Sequence, residues 1–501
     1  MPRVSSPRSS RLREIFSIDP RSLALFRIAI ALILLTDLAI RAADLHVMYT
    51  DDGMFPRAEI RRLYSSMWNW SFHFASGSWG LQAALFGIAA AFALALLAGF
   101  HTRMAVIGSW LLLISIHHRV PPILSGAEIL LRMLLFWAMF LPLGRGWSLD
   151  RWLGKRRHRS AAGSHDARVV SMASAAILLQ MAVMYLFSAI FKSNVQWTGG
   201  EALAGILAHD FYGSVAGAWL LQYPGFLNVL TRLTLVLEWA APLLLFCPGS
   251  AALRLAAMGA LTLMHAGIAI FLEVGLFPYV ALAGLTLFLP PAFWNRLLLR
   301  HRSSSTRSVP DSANSGKAFP PLLHDPAQRV CLVLFACVVA INLNSLPGQP
   351  LKSLSPEKWT PLTRGLGFSQ YWGVFDTVPS KDGWYVAWAK LRDGSEVDLL
   401  RKGARVTAER PPVPGRLYPN HYWQKLFREM AYEDDQGFQF FRAPAAQWLC
   451  RNWNSRNPPE KQVVEFELIY CMESRPEDPP SSSTGNSHET LLRLDAGLLP
   501  R

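Results

Sequence analysis

Residues 169–191 read VVSMASAAILLQMAVMYLFSAIF, a run without a single Asp, Glu, Lys or Arg. About 20 apolar residues carry a helix across the ~30 Å hydrocarbon core of a bilayer. In lipid, a helix also satisfies its backbone polar groups within itself. The stretch therefore predicts a membrane-spanning helix, bounded by Arg168 and Lys192. Runs of similar character lie on both sides of it: 22–41, 79–100, 103–118 and 127–144 before, and 228–247, 252–272, 275–293 and 329–346 after. The runs at 103–118 and 127–144 are short and could be tilted partners in one hairpin. The fold class expected is an all-α polytopic membrane helical bundle of about nine transmembrane helices, followed by a small α+β soluble domain.

Composition agrees with this reading. The 501 residues are 51% hydrophobic and only 17% charged, where soluble proteins carry about 25% charged residues. The deficit lies in 22–346, since 347–501 is polar and rich in aromatics. The formal net charge is +14, but the basic residues form neither a recognition helix nor an aromatic-interleaved stripe. No nucleic-acid partner is expected. They sit instead in short loops: Arg3, Arg8, Arg11, Arg13 and Arg21; then Arg145, Arg151, Lys155, Arg156, Arg157, Arg159 and Arg168; then Arg296, Arg300, Arg302, Arg307, Lys317 and Arg329. The alternate loops are poorer: 192–227 has only Lys192 and 119–126 only Arg119, while 41–78 mixes four arginines with Asp44, Asp51, Asp52 and Glu59. The positive-inside rule puts the N-terminus in the cytoplasm, and an odd number of crossings puts the C-terminal domain outside. Arg27 and Asp37 interrupt the first run, which is also long for the h-region of a signal peptide. A retained helix is the better reading.

The divisions that follow are a cytoplasmic basic arm (1–21), a transmembrane domain (22–300), a flexible cytoplasmic linker (301–328), a last transmembrane helix (329–346), an extracytoplasmic α+β domain (347–475) and a disordered tail (476–501). Within the α+β domain, GWYVAWAKLRDGSEVDLL at 383–400 alternates apolar residues on both sides of Asp393-Gly394, a hairpin signal. Val463 to Tyr470 reads as another strand, and 419–432 and 444–453 as helices. Cys247, Cys331 and Cys337 lie in or beside apolar segments and read as inert thiols. Cys450 and Cys471 are the cysteines of the C-terminal domain. They are a possible disulfide if that domain is exported to an oxidising compartment, or else two unrelated thiols. No cysteine or histidine spacing suits a metal.

Charge inside a membrane segment is costly and turns toward partners or a wet cavity. The residues concerned are Arg27, Asp37, Glu128, Arg132, Lys192, Glu238, His265 and Glu273. Arg27 and Asp37 read as structural intramembrane charges: Arg27 could snorkel, and Arg132 could pair with Glu128 one turn away. Glu238, in LTLVLEWAAPLLLF, has apolar neighbours on both sides and a proline four residues on. It is either a carboxylate bonded to another helix or a functional one. Lys192 ends its helix in YLFSAIFKSNVQW, where a lysine either snorkels or acts as a base. An amine partly removed from water sheds its proton more readily.

The stretches SIDPRSLALFRIAIALILLTDL, MYTDDGMFPR, RMLLFWAMFLPLGRGWSLD, YLFSAIFKSNVQWTGGEAL and LMHAGIAIFLEVGLFPYVAL recur in one order over 14–300. Together they resemble the HTTM (horizontally transferred transmembrane domain) family, the bacterial relatives of vitamin K-dependent gamma-carboxylase, and 365–475 resembles the tail of many bacterial members. The resemblance implies a bacterial inner membrane location. In the carboxylases, a lysine within Y-x-x-x-G-x-K-K-x-x-x-x-W is the base that deprotonates vitamin K hydroquinone. Its oxygenation then yields a stronger base that removes a proton from the gamma carbon of a glutamate. Aligning Tyr185 and Trp197 places Lys192 at the second lysine, with Phe191 at the first and Ala189 at the glycine. His265 aligns with a family histidine. Gly126 and Ala127 stand where the carboxylases have an asparagine–histidine pair, which puts glutamate carboxylation in doubt.

The resemblance implies catalytic roles for Lys192 and His265. Glu128, Arg132 and Glu238 are expected as polar groups of an apolar intramembrane pocket. The pocket would hold a reduced isoprenoid quinone, like vitamin K hydroquinone, or another membrane lipid, with no metal. The alternatives are a true gamma-glutamyl carboxylase acting on an extracytoplasmic protein or peptide, and a non-catalytic anchor or lipid-binding scaffold.

Overall fold

The computed structural model describes residues 7–65, 68–157, 168–299, 325–348, 356–379, 382–431, 438–472 and 487–494. The first half contains α1 (Pro7–Phe16), α2 (Pro20–Ala43), α3 (Leu45–Tyr49), α4 (Arg57–Tyr64), α5 (Trp79–Ala98), α6 (Thr102–Arg119), α7 (Gly126–Ala138), α8 (Leu149–Arg157) and α9 (Met172–Phe191). Three short helices follow, α10 (Val195–Gly199), α11 (Ala202–Ala208) and α12 (Val215–Leu220). Then come α13 (Pro224–Leu245), α14 (Ala251–Phe271), α15 (Phe277–Leu285), α16 (Pro291–Leu299) and α17 (Pro326–Asn344). The C-terminal part holds α18 (Pro356–Gly365), β1 (Gly383–Leu391), β2 (Glu396–Asp398), α19 (His421–Met430), α20 (Arg442–Asn454), β3 (Val463–Met472) and β4 (Ser487–Leu494).

Six of the described helices are long and apolar enough to cross a membrane: α2, α5, α9, α13, α14 and α17. The count rises to seven if a pair of helices bent by 93° at Pro290-Pro291 is one span. The expected nine are thus not confirmed among the described residues. Consecutive prolines remove backbone donors and push the preceding residue out of helical conformation, which breaks the 275–293 run. The 13 residues of α7 reach only about 20 Å at 1.5 Å per residue. α6 ends in the polar triplet His117-His118-Arg119. Both are packed inside the bundle, where neighbours satisfy charge that lipid would not.

Contacts place the two ends of the bundle. At one end Arg21 bonds Asn295, Ile18 pairs with Val169, and Gln328 receives the amide of Met172. At the other, Asn420 donates to Asp44 at 2.6 Å, Arg451 to the Asp52 carbonyl, and Arg410 pairs with Asp210. The N-terminal arm and the C-terminal domain therefore lie at opposite ends, and the domain rests on the loop 41–78, where arginines and carboxylates are mixed, and on 192–227, where Lys192 is the one Lys or Arg. The linker 301–328 falls largely outside the described residues, although α17 already begins at Pro326.

The C-terminal sheet is antiparallel with strand order β2-β1-β3-β4. The expected hairpin turns at Gly394, whose φ of +86° is one that glycine adopts without steric cost. Residues 476–501 were expected to be disordered. Within them Ser487–Leu494 instead forms an edge strand, with Leu492 opposite Leu468 and Leu494 opposite Phe466. Cys450 and Cys471 are free. Cys450 packs with α19 and the Tyr470 face of the sheet, while Cys471 packs with Trp384 and Val386 on the other face. Successive strand residues point to opposite faces, so the possible disulfide is not formed. Burial pushes the Cys450 thiol up to about 12 and the Cys471 thiol up to about 11.

One face of the sheet keeps a small core within the domain, around Trp384, Val386 and Cys471, while the other shares its core with the bundle. Tyr422, Leu426 and Phe427 of α19 join Leu38, Leu45 and Met48 of the bundle in one cluster. Two histidines at this end are held neutral by burial. His73 is lowered to about 4, and His421 lies below its ordinary value despite Glu128 nearby. A depressed histidine adds stability that is complete above the unfolded value of about 6.5 and is lost as pH falls through the folded value. We expect the thermal midpoint of the extracted protein, followed by tryptophan fluorescence, to decline between about pH 6.5 and 4. It should be restored partly by His73→Gln. A flat profile would show that neither ring resists protonation.

Candidate functional site

The site is organised by the end of α9. Ser171 caps the start of this helix, accepting from the Ser174 amide. At the other end the Lys192 amide bonds the Ser188 carbonyl, and its side chain turns back along the helix. Lys192 Nζ donates to Ser188 Oγ at 2.6 Å and to Glu238 Oε1 of α13 at 2.7 Å. It also lies 5.2 Å from the centre of the Trp197 ring, a favourable placement for a cation. The lysine therefore points into protein rather than snorkelling to water: it is 6% exposed and Glu238 5%. Pro242, one turn beyond Glu238, lacks the N–H that would bond the Glu238 carbonyl.

The second polar pair lies on the same cavity. Tyr185 of α9 and His265 Nε2 of α14 are 2.9 Å apart, and Phe277 meets the imidazole edge-on. Among the described residues, Glu238 Oε2 and His265 Nδ1 have no hydrogen-bond partner. The cavity measures about 290 Å³ and, Ser188 and Thr234 apart, is otherwise lined by apolar side chains, including Met184, Leu207, Leu237, Met264 and Phe271.

One wall comes from far along the chain. Trp372, Val374 and Phe375 line the cavity, carried by an irregular strap threaded over the bundle between α18 and β1. Arg132 Nε donates to the Gly367 carbonyl at 2.5 Å and Nη2 to the Ser369 carbonyl at 3.2 Å. Gln180 donates to Gln370 at 2.8 Å, and Asn194 to the Asp376 carbonyl at 2.5 Å. Trp197 Nε1 donates to the Phe375 carbonyl at 2.8 Å. At Gly367 (φ +69°) an added Cβ would fall 2.5 Å from Arg132 Cδ, so the strap approaches this arginine as only glycine allows.

Of the expected pocket residues, Lys192, Glu238 and His265 come together, and Glu128 and Arg132 do not. Arg132 anchors the strap rather than pairing with Glu128. Glu128 instead joins a separate buried cluster: Arg41 donates to Asp37 at 2.9 Å and to Glu128 at 3.2 Å. The Tyr422 hydroxyl lies among them, donating to Asp37 and accepting from Arg41 at 2.8 Å. Glu128 also closes a capping box with Ser125 at the start of α7. Its one-turn spacing from Arg132 had suggested a pair, but the cap turns the carboxylate toward α2. Asp37 thus lies in this cluster, outside the cavity, and Arg27 donates to the Trp147 carbonyl at 2.5 Å near the other end. Sequence reasoning did not single out Ser188, Arg41, Tyr422 or the strap aromatics. The i, i+4 spacing of Ser188 and Lys192 was a signal for the first. No group of three or more potential metal ligands occurs among the described residues.

The family model of the HTTM domain matches residues 16–294, more than half of the chain. The chain belongs to the HTTM family. No curated protein and no solved structure matches it. Lys192, Glu238, His265, Tyr185 and Ser188 all lie inside the HTTM domain. Trp372, Val374 and Phe375 lie beyond it, so this HTTM protein closes its cavity with a segment outside the family-defining region.

Proposed function

We propose that this HTTM protein takes up a hydroxyl-headed lipid, of the reduced isoprenoid quinone class, and removes the hydroxyl proton with the Lys192–Glu238 pair. The observation that carries the reading is that pair, at 2.7 Å, at the buried end of an apolar cavity, with one carboxylate oxygen unpartnered. A volume of about 290 Å³ is near the lower end of the roughly 300–1,000 Å³ of ligand pockets, room for a ring-sized head. The two unpartnered polar atoms fit such a head. When bound, a quinol supplies an acidic hydroxyl.

The protein's part is to place and receive a proton. The ligand O–H bond breaks, its electron pair stays on oxygen, and the proton passes to the pair. Glu238 Oε2 is the acceptor while the pair is ionised, and Lys192 Nζ is the acceptor once a proton has moved from Nζ to the carboxylate. A tyrosine donating to His265 Nε2 fixes the neutral tautomer with its proton on Nδ1, leaving a donor for the developing oxyanion. We place the C-terminal domain on the extracytoplasmic side, since the basic loops gather at the opposite end of the bundle.

A second reading, a lipid-binding scaffold without catalysis, is favoured by the same contact, because an ion pair also simply joins two helices. The test is a monomethyl ether of a naphthohydroquinone, which keeps one hydroxyl. In nanodiscs holding the protein, its naphtholate absorption is expected at a pH at least 1 unit below that in empty nanodiscs, about 1.4 kcal/mol of preference for the anion. Binding without that shift returns the scaffold.

A further inference from the structure

The cavity has a closed floor and an open rim. Lys192, Glu238 and His265 are buried, whereas Leu233 and Leu263, which also line it, are 58% and 75% exposed. These two rim residues lie on α13 and α14, both long enough to span the bilayer. The two helices form a hairpin through residues 246–250, and the lining positions, 227–238 and 260–272, occupy the halves remote from that turn. Gly267 borders the cavity, and a Cβ built on it meets no atom within 4 Å. Exposed leucines on a spanning helix face acyl chains rather than water. The mouth therefore faces hydrocarbon.

The floor also selects. Lys192 and Glu238 neutralise one another, so no net positive charge awaits an anionic head. The unpartnered carboxylate oxygen accepts hydrogen bonds and cannot donate them, and it would repel a phosphate. An ionised head would also cross an apolar rim, at high cost. We infer that the site exchanges its ligand sideways with the bilayer, between α13 and α14 and past Gly267, and that it admits uncharged hydroxyl-bearing lipids while excluding anionic ones. This rests on the lipid-uptake reading above and narrows it.

The experiment measures binding of the fluorescent methoxynaphthol, carrying a prenyl tail, to the full-length protein in zwitterionic nanodiscs. An uncharged prenyl alcohol should displace the probe, and dioleoylphosphatidic acid at the same mole fraction should not. Gly267→Phe, which fills open space at the mouth, should weaken probe binding by tenfold or more. Gly259→Phe is the control: it lies on the same helix, a Cβ there also meets no atom within 4 Å, and it does not line the cavity. It should bind as the native protein does. If Gly267→Phe does not fold, Leu263→Trp on the rim should slow probe uptake at least threefold. Displacement by phosphatidic acid as effective as by the alcohol overturns the selectivity. Native-like affinity and uptake in the mouth variants overturns the route. A probe that fails to bind the native protein at all overturns the lipid-uptake reading itself, and this inference with it.

Discussion

Lys192→Arg is expected to abolish turnover while leaving the protein folded. Arginine keeps the positive charge and can bond Glu238, so a purely structural ion pair survives the change. A base must also shed its proton near neutral pH, which a guanidinium does not do. Loss of a general base typically costs about 10²–10⁴-fold in rate. Consumption of a reduced quinone with dioxygen supplied as the oxidant, by protein in nanodiscs with native lipids and above the rate in empty nanodiscs, should therefore fall at least 10²-fold. Lys192→Ala should fall as far, and should also destabilise the protein by leaving Glu238 buried without its partner. Glu238→Gln separates the members of the pair: it keeps a hydrogen-bond acceptor for Lys192 but removes the unpartnered carboxylate oxygen. Turnover in Lys192→Arg equal to that of the native protein would eliminate proton transfer through Lys192 and leave the scaffold reading.

The largest effect on stability is expected from Arg41→Met. Arg41 is buried between Asp37 and Glu128 and stacks 4.1 Å from the centre of the Tyr422 ring. Its removal leaves two carboxylates enclosed together, with the Tyr422 and Ser125 hydroxyls and the Ser125 amide as their remaining partners. Breaking a buried ion pair by deleting one member costs about 3–5 kcal/mol, and two like charges at close range add to that. The cluster also joins α2 and α7 of the bundle to α19 of the C-terminal domain. The expected result is a lower unfolding temperature in detergent, with earlier protease cleavage between 348 and 382. Asp37→Asn added to Arg41→Met should recover part of the loss, because one uncompensated charge goes with it. If Arg41→Met melts like the native protein, the apolar contacts of Leu426 and Phe427 hold the domain without help from the cluster.

Several expectations drawn from the sequence met the same physical obstacle. Glu128 and Arg132 have the spacing of a helical pair, yet each found a stronger partner from another element. For Glu128 these are Ser125 at a helix start and Arg41 on α2. For Arg132 they are backbone carbonyls 235 and 237 residues away. Such partners leave no mark on local periodicity. The run 275–293 was apolar enough to span, but hydropathy averages do not register the bend that Pro290-Pro291 imposes. At 476–501, composition pointed to disorder, while Leu492 and Leu494 found a ready edge on β3.

What the sequence by itself determined was whatever depends on local composition and period. The apolar runs marked a membrane bundle, the alternation around Asp393-Gly394 a hairpin, and five ordered stretches the HTTM family. Lys192, Glu238 and His265 could be singled out because charge in an apolar run is costly wherever it points. Only the tertiary structure decided where they point. It brought α9, α13 and α14 together so that Lys192 meets Glu238 and Tyr185 meets His265, and it sent Glu128 and Arg132 elsewhere. It also closed the cavity with Trp372, Val374 and Phe375. A cavity is made by surfaces that meet from distant parts of the chain, and the free energy of burying them against one another belongs to no single segment.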